Sequence, residues 1–209
     1  MKVRAAIGGM IMLSATAFAT EKAETLKFAV LRNGDQIGTH TIELRRNGPE
    51  TLAKQSTFIE VKIAFITAYR FEQSASERWV NNRLVAMDSV TNDNGTQHKL
   101  VVAAKGNVLN VEGDQKTTQV DASVMPASLW NASLTKQTVA LNARDGSLMQ
   151  ISVTEAGVDN LVVRGQPTKA RHFTIKGPFS QDAWYDDKGT LVQAQFIGAD
   201  GSTILWQPI

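Results

Sequence analysis

The sequence predicts an all-β protein, a strongly curved antiparallel meander of half-barrel or barrel-like form, with one short helix near residues 124–132. Three observations carry this reading. Apolar and polar side chains alternate with a period of two over long runs, as in strands that bury one face. Dipeptides suited to positive-φ turn positions recur at short intervals, so successive strands turn back on each other. There is also no series of helical crossovers of a dozen or more residues, which a parallel sheet would need.

The chain opens with Lys2 and Arg4, then an uncharged run from Ala5 to Ala15 built on Ile7, Met10, Ile11, Met12 and Leu13, then Ala17-Phe18-Ala19. A basic segment, a short apolar segment and a small-x-small site in that order are the marks of a secretory signal peptide. The apolar run is shorter than the roughly 20 residues that span a hydrocarbon core. The expected organisation is a signal peptide over residues 1–19 and a single antiparallel β domain over residues 20–209, located in the periplasm or secreted. Without Lys2 and Arg4 the remaining chain has 20 basic residues against 20 acidic ones. A formally neutral domain without a basic stripe argues against nucleic acid as a partner. No second apolar segment approaches transmembrane length, so an integral membrane protein is not expected after cleavage. The chain has no cysteine, which removes disulfides, thiolate metal sites and a thiol nucleophile.

The first strands are delimited by Asn33-Gly34 and Asn47-Gly48. From Phe58 to Phe71 one parity carries Ile59, Val61, Ile63, Phe65, Thr67, Tyr69 and Phe71, and the other carries Glu60, Lys62, Arg70 and Glu72. This run reads as one long strand with a bend or bulge near Thr67-Ala68. The charged parity either lines a polar-edged cavity or forms a solvent face with cross-strand ion pairs. Asn81-Asn82, Asn94-Gly95, Lys105-Gly106 and Glu112-Gly113 mark further turns. In Asp121 to Leu134, Ser123 as a cap, Pro126 in a first turn and an apolar face of Met125, Leu129 and Trp130 predict the short helix. Asp145-Gly146, Lys188-Gly189 and Asp200-Gly201 punctuate the rest.

Catalytic constellations are absent from the sequence pattern. His40, His98 and His172 stand in no metal-ligand spacing, no Gly-x-Ser-x-Gly elbow occurs, and no phosphate-binding glycine loop follows a strand. The acidic run Asp182 to Asp187 lacks the spacing of a calcium loop. No catalytic residue, metal or cofactor is therefore expected. Glu72 and Glu77 fall on opposite strand faces and cannot form a local acid and base pair. The residues best suited to contact a ligand are Tyr69, Arg70, Glu77, Trp79, His98 and Trp184, which offer aromatic surface, charge and proton transfer.

Three stretches taken together, Asn33 to His40, Val61 to Glu72 with Glu77-Arg78-Trp79, and Trp184 to Val192, resemble an uncharacterised family of secreted bacterial all-β proteins, a domain of unknown function. That resemblance implies an exported antiparallel β fold and no established activity. The last stretch, with Ala199-Asp200-Gly201-Ser202, is also similar to the terminal meander of periplasmic lipoprotein carriers with a half-barrel fold. The reading that follows is an exported envelope binding or accessory protein, its partner a lipid or small amphipathic ligand on a concave sheet, or an envelope protein. A periplasmic hydrolase or isomerase using Arg70, Glu77 and His98 is the alternative, and a structural or assembly role the third.

Overall fold

The structure is a computed structural model that describes residues 21–114, 116–198 and 200–209; the expected signal peptide lies outside the described residues. The first eight strands are β1 (Lys22–Arg32), β2 (Asp35–Asn47), β3 (Glu50–Ile63), β4 (Ile66–Val80), β5 (Arg83–Asp93), β6 (Thr96–Lys105), β7 (Val108–Gly113) and β8 (Lys116–Asp121). They form an antiparallel meander. The chain then leaves the sheet for β9 (Met125–Pro126), a 3₁₀ turn (Ala132–Lys136), β10 (Val139–Leu141) and β11 (Leu148–Gln150). It returns as β12 (Ser152–Val163), β13 (Gln166–Lys176), β14 (Gln181–Tyr185), β15 (Leu191–Ile197) and β16 (Thr203–Pro208).

Thirteen strands make one sheet in the order β12-β13-β14-β15-β16-β1-β2-β3-β4-β5-β6-β7-β8. The join is β16 against β1, with Phe28 opposite Pro208 and Arg32 opposite Ile204. Strands of the first half bury mainly one parity, as with Leu26, Phe28 and Val30 in β1, His40, Ile42 and Leu44 in β2, and Ala75, Glu77 and Trp79 in β4, whereas β14 buries the consecutive Ala183, Trp184 and Tyr185. The inner faces of both halves join a common core that includes Met125, Leu129, Trp130, Leu134, Ala140, Leu141 and Met149 of the intervening segment. The sheet thus wraps around residues 122–151, hereafter the plug, and remains open, since β8 and β12 do not pair. The all-β, curved antiparallel class read from the sequence is the class observed.

Two local expectations are corrected. The run from Phe58 to Phe71 is not one strand but a hairpin, because Ala64 and Phe65 both take positive φ (46° and 73°) and turn β3 into β4. Neither residue signals such a turn, and left-handed backbone costs a non-glycine residue about 1–2 kcal/mol. The irregularity near Thr67-Ala68 does exist: Val61 pairs with Tyr69 and Lys62 with Thr67, leaving Ala68 as the extra residue. Likewise, residues 124–132 do not form a helix. Met125 and Pro126 are extended and pair in parallel with Ala140 and Leu141, consistent with the bias of proline against α conformation in the residue before it. The single helical turn among the described residues begins only at Ala132, capped by Asn131, whose side chain accepts from the Ser133 N–H.

Contact with the plug fixes Gly113. A Cβ on Gly113 would land on the Asp145 carbonyl oxygen, so only glycine lets β7 pass beneath the plug's turn. Hairpin turns alternate between the two ends of the meander. At one end, Asn82 ties the plug to the β4–β5 turn, donating from Nδ2 to Ser133 Oγ (3.0 Å) and accepting from Asn131 Nδ2 (3.2 Å).

Candidate functional site

At the other end the wrapped sheet encloses a cavity of about 890 Å³. Its walls are mostly apolar: Ile37, Ile59 and Val61 of β2 and β3, Phe71 of β4, and Phe196 and Ile204 of β15 and β16. The plug contributes Ala127, Ala140 and Ala143. These alanines, beside the larger Leu134, Met149 and Ile151 of the same segment, leave space that close packing elsewhere would fill. Drug-sized ligands occupy pockets of about 300–1,000 Å³ lined by apolar groups with a few placed polar ones.

The polar groups sit at the rim, where strand ends meet. Arg32 pairs with Asp200 at 2.5 Å. Asp93 receives the Tyr69 hydroxyl (2.9 Å) and Arg144 Nη1 (3.0 Å), and Arg144 also reaches Asp145 (3.2 Å). Burial, followed by the hydrogen bond to Asp93, pushes the Tyr69 phenol up to about 12. It remains a donor at any physiological pH.

A side compartment of about 250 Å³ shares the walls Ile59, Phe71, Gln73, Phe196 and Ile204 and adds His40, Gln55, Thr57, Ser128 and Trp206. The His40 ring stacks on Trp206 with centroids 3.9 Å apart, and its Nδ1 bonds Thr57 Oγ1 at 2.8 Å. Burial pushes the imidazole down from 6.5 to about 3. A histidine whose folded value is depressed takes its proton more readily when unfolded. The stability it confers is therefore complete above pH 6.5 and is lost as the pH falls toward 3. We expect His40→Gln to flatten that slope in acid unfolding curves; an unchanged slope would place the histidine in contact with water.

Beyond this compartment lies a fully buried carboxylate, Glu77, with four donors. Glu77 Oε2 accepts from the indole N–H groups of Trp79 (2.8 Å) and Trp130 (3.0 Å). Its Oε1 accepts from Gln55 Nε2 (2.8 Å) and from the Ser128 hydroxyl. Burial raises the Glu77 carboxyl above the usual range, and the four donors oppose that rise without reversing it. Two of the partners belong to the sheet and two to the plug, so this cluster fastens one to the other.

The six residues proposed from the sequence separate accordingly. Tyr69 lines the cavity, and Glu77 and Trp79 meet in the buried cluster. Arg70 lies on the outer face, paired with Glu72 (2.6 Å), beside the Lys62–Glu60 pair (2.7 Å). The charged parity of this hairpin is thus a solvent face with ion pairs and not a cavity wall. His98 of β6 bonds Asp114, which follows β7 (2.8 Å). Trp184 packs with Ala170 and Val192 in a separate cluster, stacked on His172 (4.3 Å). Arg70, Glu77 and His98 are not brought together. Arg32, Asp93, Arg144 and His40 carry no local spacing that marks them as cavity residues, because strands far apart in sequence bring them there. Among the described residues no group of three or more His, Cys, Asp or Glu side chains could hold a metal ion, and no helix is long and apolar enough to cross a membrane.

A family described as a domain of unknown function, DUF6134, matches residues 28–209. No curated protein matches the chain. Among solved structures the chain is similar to the crystal structure of a beta-barrel-like protein of domain of unknown function DUF1849 from Brucella abortus, with a TM-score of 0.63 and 7% identity. The likeness covers 92% of this chain and 96% of that one. At such identity it is a likeness of fold alone.

Proposed function

Since the chain belongs to the DUF6134 family, which assigns no activity, we propose from its own geometry that it is an exported envelope protein that binds an apolar or amphipathic small molecule inside its curved sheet. The observation that carries this reading is the cavity of about 890 Å³ with apolar walls and a polar rim. Such a space, kept open by alanines on the plug, suits an acyl or polycyclic body, and the rim hydrogen bonds suit its polar end. Export is supported by the order of residues in 1–19.

The test begins with native mass spectrometry of protein purified gently from its own compartment, where a stoichiometric lipid or metabolite is expected. Its counterpart uses N-phenylnaphthylamine as an uncharged probe on delipidated, refolded protein. Ala143→Phe and Ala127→Phe place bulk in the cavity from the plug side and should weaken probe binding by about tenfold or more, equivalent to about 1.4 kcal/mol. Unchanged binding in both variants, or a wild-type chain that takes up neither probe nor native ligand, would discard the reading.

A further inference from the structure

The β3–β4 hairpin ends in an apolar tip that no described part of the chain covers. Phe65 is 100% exposed, Ile66 72% and Ile63 66%. Ile63 and Ala68 of this hairpin line the cavity, as do Pro178 and Phe179 of the β13–β14 turn on the facing side. Phe179 is itself 56% exposed. Both lips of the mouth are therefore apolar where they meet solvent, while apolar side chains of this size usually appear singly on a protein surface.

The turn conformation argues that this tip is not incidental. Among the described residues four other places set two consecutive residues at positive φ: Asn33-Gly34, Asn81-Asn82, Asn94-Gly95 and Arg164-Gly165. Each contains Asn or Gly, the residues that take left-handed backbone with little strain. Ala64-Phe65 adopts the same geometry with neither. The chain accepts local strain in order to hold a phenyl ring at the outermost point, and strain retained at one site points to a role there.

The charges nearest the tip cancel in pairs, Lys62 with Glu60 and Arg70 with Glu72. The patch thus lacks the net positive charge by which anionic surfaces are recognised. What suits it is the interface of a lipid bilayer, where aromatic and aliphatic side chains insert by burial of apolar area. We propose that the β3–β4 tip, with Phe179 on the opposite lip, docks the mouth of the cavity onto a lipid surface, so that an amphipathic ligand passes between bilayer and cavity without crossing water. The route of the ligand rests on the binding reading above, whereas the docking does not need the cavity to be filled.

The test is flotation of the full chain with vesicles of phosphatidylethanolamine and phosphatidylglycerol, and of phosphatidylcholine alone, at low and at high salt. The variant Ala64→Asn/Phe65→Gly installs the turn pair used elsewhere in the chain, so it folds at least as well and any loss is not unfolding. It should reduce the bound fraction by about tenfold, the effect of one aromatic side chain withdrawn from an apolar phase, and wild-type binding should differ little between the two lipids or with salt. Any contribution of residues 1–20 is common to both proteins. Because the chain has no cysteine, Ala64→Cys and Asn107→Cys each accept one environment-sensitive fluorophore, at the tip and at a turn of the opposite end. Only the first should shift to the blue on vesicles. Equal flotation of wild type and variant, equal response of the two labels, or a tip that self-associates without binding lipid would each overturn the docking surface. Probe binding inside the cavity is read separately, so failure of either reading leaves the other standing.

Discussion

Glu77→Ala is expected to destabilise the protein by about 3–5 kcal/mol. The carboxylate is the acceptor for two indole N–H groups, an amide and a hydroxyl in a site sealed from water. Gln55 and Ser128 lie 3.3 Å apart and can satisfy each other once Glu77 is gone. The indoles of Trp79 and Trp130, packed edge to face with centroids 5.7 Å apart, both donate to Glu77 and lose that acceptor. Each buried donor left unpaired costs about 1–3 kcal/mol, and the void left by the side chain adds to that. A domain with about 5–15 kcal/mol of stability would lose a large fraction of it. Calorimetry should show the midpoint falling by about 10 °C, and a drop of only a degree or two would mean that water replaces the carboxylate.

The isosteric change separates bonding from charge. Glu77→Gln keeps an acceptor toward the indoles and offers its amide to Ser128, whose hydroxyl can accept. Because the folded protein raises the Glu77 carboxyl above its ordinary 4.5, the folded state holds the proton more tightly than the unfolded chain. The stability this group contributes is therefore full below pH 4.5 and declines as the pH rises through the interval up to the folded value. Denaturant unfolding across that interval should show the decline in the wild type and not in the Gln variant.

Leu134→Ala is the second large effect, at about 2–5 kcal/mol. Leu134 is fully buried in the one helical turn of the plug and also forms part of the cavity wall. Its removal opens the existing space further, and a site already beside a void has little neighbouring mass with which to collapse. That places it toward the upper part of the range. Leu148→Ala serves as the comparison, since Leu148 lies in the same plug but is 50% exposed; it should stay within about 1 kcal/mol. Equal effects would show that the plug does not act as part of the core.

What could be read in the sequence was what local chemistry determines. Asn33-Gly34, Asn81-Asn82 and Asn94-Gly95 mark real turns because their residues tolerate positive φ, and the opposite faces read for Glu72 and Glu77 are observed, Glu72 pairing with Arg70 outside and Glu77 buried inside. The β3–β4 turn escaped because Ala64 and Phe65 break that rule. The helix expected near Pro126 gave way to an extended pair once Met125 and Pro126 found β10 as a partner. The partners of Glu77 on the plug, Ser128 and Trp130, are 51 and 53 residues away. No periodicity encodes such a meeting, and the cavity exists only because the two halves of the sheet meet at β1 and β16.

That meeting has a consequence for how the chain acquires its fold. β1 is made first and β16 last of the strands described, yet they are neighbours in the middle of the sheet. A chain that has emerged as far as the β1–β8 meander, from a ribosome or across a membrane, leaves the β1 edge bare, and that edge remains open until residues 203–208 follow. Contacts of such long sequence separation slow folding, and an exposed edge in the meantime invites pairing with other chains. Maturation of this protein should accordingly be post-translational and sensitive to holdase chaperones, with the closing strand setting the rate.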